Sequence, residues 1–90
     1  MKYALVIYEA LKRTDHQAQT AWINATSTAR DKTSKSEKVE TLSEGCFLCD
    51  LGNGLHDLHY IVGAASAYGI QTRTLFFENA PQFVISPPRT

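Results

Sequence analysis

The chain is 90 residues long, 43% of its residues are hydrophobic and 20% are charged, and nine basic residues balance nine acidic ones. This composition is typical of one small globular domain, and zero net charge argues against a surface that binds nucleic acid or an anionic membrane. With two cysteines and no apolar stretch of signal or membrane-spanning length, we expect a cytoplasmic protein with reduced thiols and no cofactor.

The first predicted strand covers residues 2–10 and is apolar at both odd and even positions, which is typical of a central strand covered on both faces. A helix is then expected from about residue 15 to residue 30. Thr14, with Gln17 three residues further on, has the capping-box pattern at its start. The apolar stripe of this helix consists of Ala18, Ala21, Trp22, Ala25 and Ala29.

A polar connector over residues 31–38 leads to two further strands. Residues 39–42 are short and half polar, as expected of an edge strand. Residues 46–49 are apolar at every position, which again indicates a central strand, predicted to run to residue 51. Ser43-Glu44-Gly45 joins the two strands as a hairpin turn.

A second helix is predicted over residues 55–68, after the tight turn Gly52-Asn53-Gly54, in which Asn53 or Gly54 caps the helix. Gly69 and Ile70 fit the left-handed residue and the apolar contact of a Schellman stop. The apolar face of the helix comprises Leu55, Leu58, Ile61, Val62, Ala65 and Tyr68. A strand over residues 72–78 and an extended piece over residues 83–86 follow.

The predicted order is β-α-β-β-α-β with a short extra C-terminal strand. Right-handed crossovers turn this order into an α+β, ferredoxin-like plait with an antiparallel sheet in the order 4-1-3-2 and both helices on one face. We assign residues 1–86 to a single domain and residues 87–90 to a C-terminal tail. Because both central strands also offer apolar side chains to the opposite face, a second subunit, residues 83–85 or a protein partner should cover it. A homodimer is the commonest solution.

Cysteine and histidine residues form a C-x2-C-x6-H-x2-H pattern, with the residue types of a tetrahedral zinc site: Cys46, Cys49, His56 and His59. The gap between the two pairs is short, and in a strand Cys46 and Cys49 point to opposite faces. The sequence therefore favours two core thiols and two surface histidines without a metal, and zinc is the alternative.

The predicted topology also places polar residues at the two ends of the sheet. At one end, the candidate catalytic residues are Glu9, His16 and Arg73. At the other end, beside a helix N-terminus that suits an anion, the candidate binding residues are Asp50, Asn53, His56 and His59. The alternative at both ends is a rim of ordinary solvated charges.

Two resemblances bear on function. The order βαββαβ in 90 residues resembles an RNA-recognition motif, but Glu44 stands before Gly45 where that family has a basic residue, so we do not expect nucleic acid as a partner. The run Leu5-Val6-Ile7-Tyr8-Glu9 resembles the first strand of the small nucleases of CRISPR systems and of the VapD toxin family, with Glu in place of Asp. That resemblance implies a metal-dependent endoribonuclease that uses Glu9 across a dimer. We favour a non-enzymatic interaction or regulatory module instead, acting as a homodimer through the open sheet face.

Overall fold

The computed structural model describes residues 2–11, 15–52, 55–84 and 86–88. The elements in chain order are β1 (Tyr3–Tyr8), α1 (His16–Thr33), β2 (Val39–Ser43), β3 (Cys46–Asp50), α2 (His56–Ala67) and β4 (Thr72–Phe77). The strands form one antiparallel sheet in the order β2-β3-β1-β4, which is the predicted order read from the opposite edge. The α+β ferredoxin-like plait is therefore confirmed.

The two strands with apolar residues on both faces lie at the centre of the sheet. β1 pairs with β3 on one side and with β4 on the other, and β3 also pairs with β2. β2, the half-polar strand, lies at an edge as predicted, and its register shifts between Thr41 and Ser43. Such an irregularity bends an edge strand and discourages further pairing there.

The hydrophobic core lies between the helices and one face of the sheet. Alternate residues of β1 and β3 are buried there: Ala4, Val6, Tyr8, Phe47 and Cys49. Small buried residues on the helices, such as Ala25, Ala29 and Ala65, let the helix backbones approach the sheet closely. The molecule is 22 Å across its shortest dimension, which leaves room for one layer of helices on one sheet.

Tyr8 connects the central strand to both helices. Its ring meets Trp22 of α1 edge-on, with centroids 6.3 Å apart, and lies 5.4 Å from the ring of Phe47. Its hydroxyl donates a hydrogen bond to the backbone carbonyl of Ile61 in α2. Burial raises the pKa of Tyr8 to about 12, so the phenol stays a neutral donor.

Helix α1 begins one residue later than predicted and ends three residues later. Asp15, not Thr14, is the N-cap, and its carboxylate accepts a hydrogen bond from the Ala18 N–H at 2.8 Å. Aspartate caps a helix at least as well as threonine, which accounts for a start at Asp15. Thr14 itself lies outside the described residues. The helix continues to Thr33, which is buried, and the Thr33 hydroxyl is satisfied because it donates to the carbonyl of Ala29.

Helix α2 ends as the sequence predicts. Gly69 has φ +73°, its N–H donates to the carbonyl of Ser66, and the Ile70 N–H donates to that of Ala65 at 2.8 Å. These two bonds form the Schellman motif. The predicted caps at the other end, Asn53 and Gly54, lie outside the described residues.

The buried face of α2 is narrower than predicted. Ile61, Ala64 and Ala65 are buried, whereas Leu55 and Tyr68 are exposed. Leu55 and Tyr68 occupy the two cap positions, beyond the turns that face the sheet. In the described parts of the chain, no helix is long and apolar enough to cross a membrane.

The short extra strand expected after β4 is not seen at Phe83 or Val84, which lie outside regular structure and are exposed. Pro81 before them and Pro87 after them lack the N–H that a strand ladder needs, so the pairable run between them is short. The remaining residue of the predicted strand core, Ile85, lies outside the described residues. The division into a domain over residues 1–86 and a tail over residues 87–90 stays a prediction.

Candidate functional site: the open sheet face

The second face of the sheet is not covered by a helix in the described chain. Leu5 pairs directly with Leu48 of β3 and with Leu75 of β4, and directly opposed residues point to the same face. The same register defines what we call the open face, namely Tyr3, Leu5, Ile7, Glu40, Cys46, Leu48, Asp50, Arg73, Leu75 and Phe77.

The centre of the open face is apolar. Leu75, Leu5 and Leu48 form a continuous row across three strands, and Leu75 is 54% exposed. Ile7 lies on one side of this row and Phe77 on the other. An apolar row that extends over three neighbouring strands is a candidate contact surface.

One corner of the open face carries an ion pair. The Arg73 Nε donates to the Glu9 carboxylate, and the Arg73 side chain is 76% exposed. The backbone also joins the two segments, since the Glu9 N–H donates to the carbonyl of Gln71 at 2.9 Å. The structure thus brings two of the three candidate catalytic residues together. Among the described contacts, none joins the third, His16, to this pair.

The diagonally opposite corner contains an open cleft of about 310 Å³. The open face contributes Tyr3, Glu40, Leu48 and Asp50, and the segment before β2 contributes Glu37 and Lys38. The chain after β4 turns back to form the last wall with Ala80, Pro81 and Phe83. That segment lies beside Leu48 at one end of the apolar row, and Leu75 at the other end stays half exposed.

The cleft has an acidic character. Its charged lining residues are the carboxylates of Glu37, Glu40 and Asp50 and the ammonium of Lys38. Lys38 Nζ lies 3.7 Å from Asp50 Oδ2, and the other oxygen of Asp50 accepts from the Gly52 N–H at 2.9 Å. The cleft therefore combines an excess of negative charge with apolar walls, which suits a cationic group on an apolar stem.

Among the described contacts, none joins the candidate binding residues Asp50, His56 and His59 to one another. Asp50 is on the open face and is occupied by Lys38 and the Gly52 N–H. His56 and His59 are exposed on α2, on the other side of the sheet. Asn53 lies outside the described residues, so its contribution stays a prediction.

The residues of the zinc pattern lie on different surfaces. Cys46 pairs with Ile7 on the open face, whereas Cys49 pairs with Ala4 and is buried in the core. Burial, and to a smaller extent the charge of Asp57, raise the pKa of the Cys49 thiol to about 11. Zinc needs ligands that converge and thiols that ionise. In the described part of the chain, no three potential metal-binding side chains of His, Cys, Asp or Glu come together.

Sequence reasoning missed most of the cleft. The sequence predicts that Glu37 lies in a connector, Glu40 in an edge strand and Phe83 in a short extended piece, and no pattern brings the three together. Glu40 could have been placed by its register opposite Leu48. The return of the chain after β4 leaves no periodic signal in the sequence.

Comparison with known proteins adds no relative: no family model, curated protein or solved structure matches the chain. The protein is therefore classified by its own geometry. It is a small α+β plait with one helix-covered sheet face and one open apolar face, flanked by an arginine at one corner and an acidic cleft at the other.

Proposed function

We propose that the protein is a non-enzymatic interaction or regulatory module that acts as a homodimer through the open face. The observation that carries this proposal is the apolar row Leu75, Leu5 and Leu48, which no helix of the described chain covers. An interface with twofold symmetry uses the same patch on both subunits, so one contact covers both apolar faces.

The size of the open face indicates a weak dimer. Four strands about 4.8 Å apart and five residues long give a face of about 19 by 17 Å. This footprint is well below the roughly 800 Å² that each partner buries in an interface of standard size. Contacts of this size are typical of weak, transient encounters, so we expect a dissociation constant in the micromolar range.

Sedimentation velocity over a dilution series tests the proposal. The wild-type protein should change from dimer to monomer as it is diluted through the micromolar range. Leu75→Glu should remain monomeric because it places a charge in the apolar row. Ile23→Glu is the matched control, because Ile23 is 57% exposed, close to the 54% of Leu75, but lies on α1.

A second control distinguishes a dimer that forms through the open face from one that forms through the free edge of strand β4. Phe76 neighbours Leu75 on β4, is 45% exposed and pairs with the buried residue Ala4, so it lies on the opposite face. Phe76→Glu should keep the dimer if the open face is the interface. A wild-type protein that is monomeric at every concentration, or a Leu75→Glu protein that dimerises like wild type, would overturn the proposal.

The endoribonuclease alternative receives no comparable support. Its basis is Glu9, and the carboxylate of Glu9 is bound to the guanidinium of Arg73. A carboxylate that already accepts from an arginine has fewer free lone pairs to offer a metal ion. The alternative predicts RNA cleavage by pure protein that Glu9→Ala abolishes.

We also place the protein in the cytoplasm. Support comes from its two cysteines, which are both free and lie on opposite faces of β3, so they cannot bridge within one chain. Unpaired thiols are typical of a reducing compartment. Cell fractionation with an antibody to the protein tests this assignment.

A further inference from the structure

The segment that follows β4, residues 79–84, lies on the same side of the sheet as the open face. Its residues Ala80, Pro81 and Phe83 line the cleft together with Leu48 and Tyr3. The sheet register places Leu48 and Tyr3 on the open face, so the segment that encloses the cleft with them is on that side as well. We call residues 79–84 the C-terminal strap.

The C-terminal strap overlaps the surface that a face-to-face dimer buries. Leu48 is one strand away from Leu5, the middle of the apolar row, which is a distance of about 5 Å. A second sheet centred on the row therefore covers Leu48 whatever the crossing angle between the two sheets. Packed sheets lie about 10 Å apart and their side chains fill the space between them. The strap and a second subunit thus compete for the space beside Leu48.

The C-terminal strap is held in place by apolar contact alone. Among the described residues, none from 79 to 84 has a hydrogen bond or an ion pair. Phe83 is the largest side chain that the strap contributes to the cleft, and it is 52% exposed, while Val84 after it is 94% exposed. A segment with few buried contacts and no backbone pairing opens at a small fraction of the cost of global unfolding.

Resting on the homodimer proposed above, we infer that the C-terminal strap is an autoinhibitory element, which occupies one end of the apolar row in the monomer and leaves it when two copies associate. Both subunits must release their straps, so the fraction of open subunits enters the dissociation constant twice. If about one third of the subunits are open, the strap weakens the dimer about tenfold. The strap therefore raises the protein concentration at which the dimer forms.

Variants of the full chain test the inference by sedimentation velocity. Phe83→Asp removes the apolar anchor and adds a carboxylate to the acidic cleft, so the strap should open and the dissociation constant should fall about tenfold. Phe83→Ala should lower it by about threefold or more. Val84→Asp is the matched control, because it adds the same charge to the same segment at a position that does not line the cleft. Its dissociation constant should stay within about twofold of wild type. Circular dichroism melts confirm that each variant is folded.

Limited proteolysis reports the position of the strap in the wild-type protein. Chymotrypsin cleaves after aromatic residues, and mass spectrometry identifies the peptide that cleavage after Phe83 releases. The cleavage rate, measured against an added reference peptide, should rise as the protein is concentrated through its dissociation constant, because the dimer releases the strap. In Leu75→Glu the rate should be the same at every concentration.

The outcomes separate this inference from the dimer on which it rests. A cleavage rate after Phe83 that does not rise with concentration would overturn autoinhibition, as would a Phe83→Asp protein that dimerises no more tightly than wild type. With Leu75→Glu monomeric, either result leaves the open-face dimer standing. If Leu75→Glu dimerises like wild type, the open-face dimer falls, and autoinhibition by the strap falls with it.

Discussion

Gly45, in the turn between β2 and β3, should be the most sensitive glycine of the described chain. It has φ +79°, and a Cβ added there would lie 2.8 Å from two ring atoms of Trp22 and 3.3 Å from the Cβ of Tyr8. The left-handed backbone costs about 1–2 kcal/mol for alanine, and displacing a packed ring adds about 1–3 kcal/mol. Gly45→Ala should therefore lower the free energy of unfolding by about 2–5 kcal/mol.

Two other glycines separate these contributions. Gly69 has φ +73° but an added Cβ meets nothing within 4 Å, so Gly69→Ala should show only the backbone cost of about 1–2 kcal/mol. Gly63 lies within α2 and also has open space, so Gly63→Ala should stabilise the protein by about 0.5–1 kcal/mol.

Urea unfolding followed by fluorescence measures all three variants. Trp22 is the only tryptophan of the chain and is also the ring that the new methyl group displaces. Gly45→Ala should therefore change the native emission spectrum, whereas Gly63→Ala and Gly69→Ala should not. Equal costs for Gly45→Ala and Gly69→Ala would refute the packing of Trp22 on the turn.

Three further results are expected. Asp15→Ala removes the N-cap of α1 and should cost about 1 kcal/mol in a thermal or urea melt, whereas Asp15→Asn should cost much less. Tyr8→Phe removes the side-chain hydrogen bond to the Ile61 carbonyl, which keeps its backbone donor within α2, and should cost about 0.5–1.5 kcal/mol; a neutral variant would contradict this. Burial raises the pKa of Cys49 to about 11, so the folded state favours the neutral thiol. This preference stabilises the fold fully at pH values below the pKa of the thiol in the unfolded chain. The contribution is lost as the pH rises toward about 11. A thiol reagent near neutral pH should therefore label Cys46 in the native protein and Cys49 only after unfolding; labelling of both at equal rates would contradict the burial.

Local patterns in the sequence were sufficient for most of the fold. β1 and β3 are apolar on both faces, and that pattern placed them at the centre of the sheet. Gly69 and Ile70 fixed the end of α2 because the Schellman motif needs a left-handed residue followed by an apolar one. The apolar open face followed from the same absence of alternation in β1 and β3.

Features that depend on competing local signals, or on contacts between residues far apart in the chain, were harder to predict from the sequence. Thr14 and Asp15 are both good caps in adjacent positions; the capping-box pattern predicts Thr14, whereas the structure has Asp15 as the cap. Glu37 and Phe83 meet at the cleft although 46 positions separate them in the chain. No periodicity connects such residues, so the cleft could not be predicted.

The most direct test of the open-face dimer uses the two native cysteines. Cys46 is on the open face, and Cys49 is buried on the other face of the same strand. The alkylation rate of Cys46 should fall as the protein is concentrated through its dissociation constant, while Cys49 remains unreactive. In Leu75→Glu, the rate should be the same at every concentration. A wild-type rate at Cys46 that does not depend on concentration, in a protein shown to dimerise, would mean that the open face is not the interface.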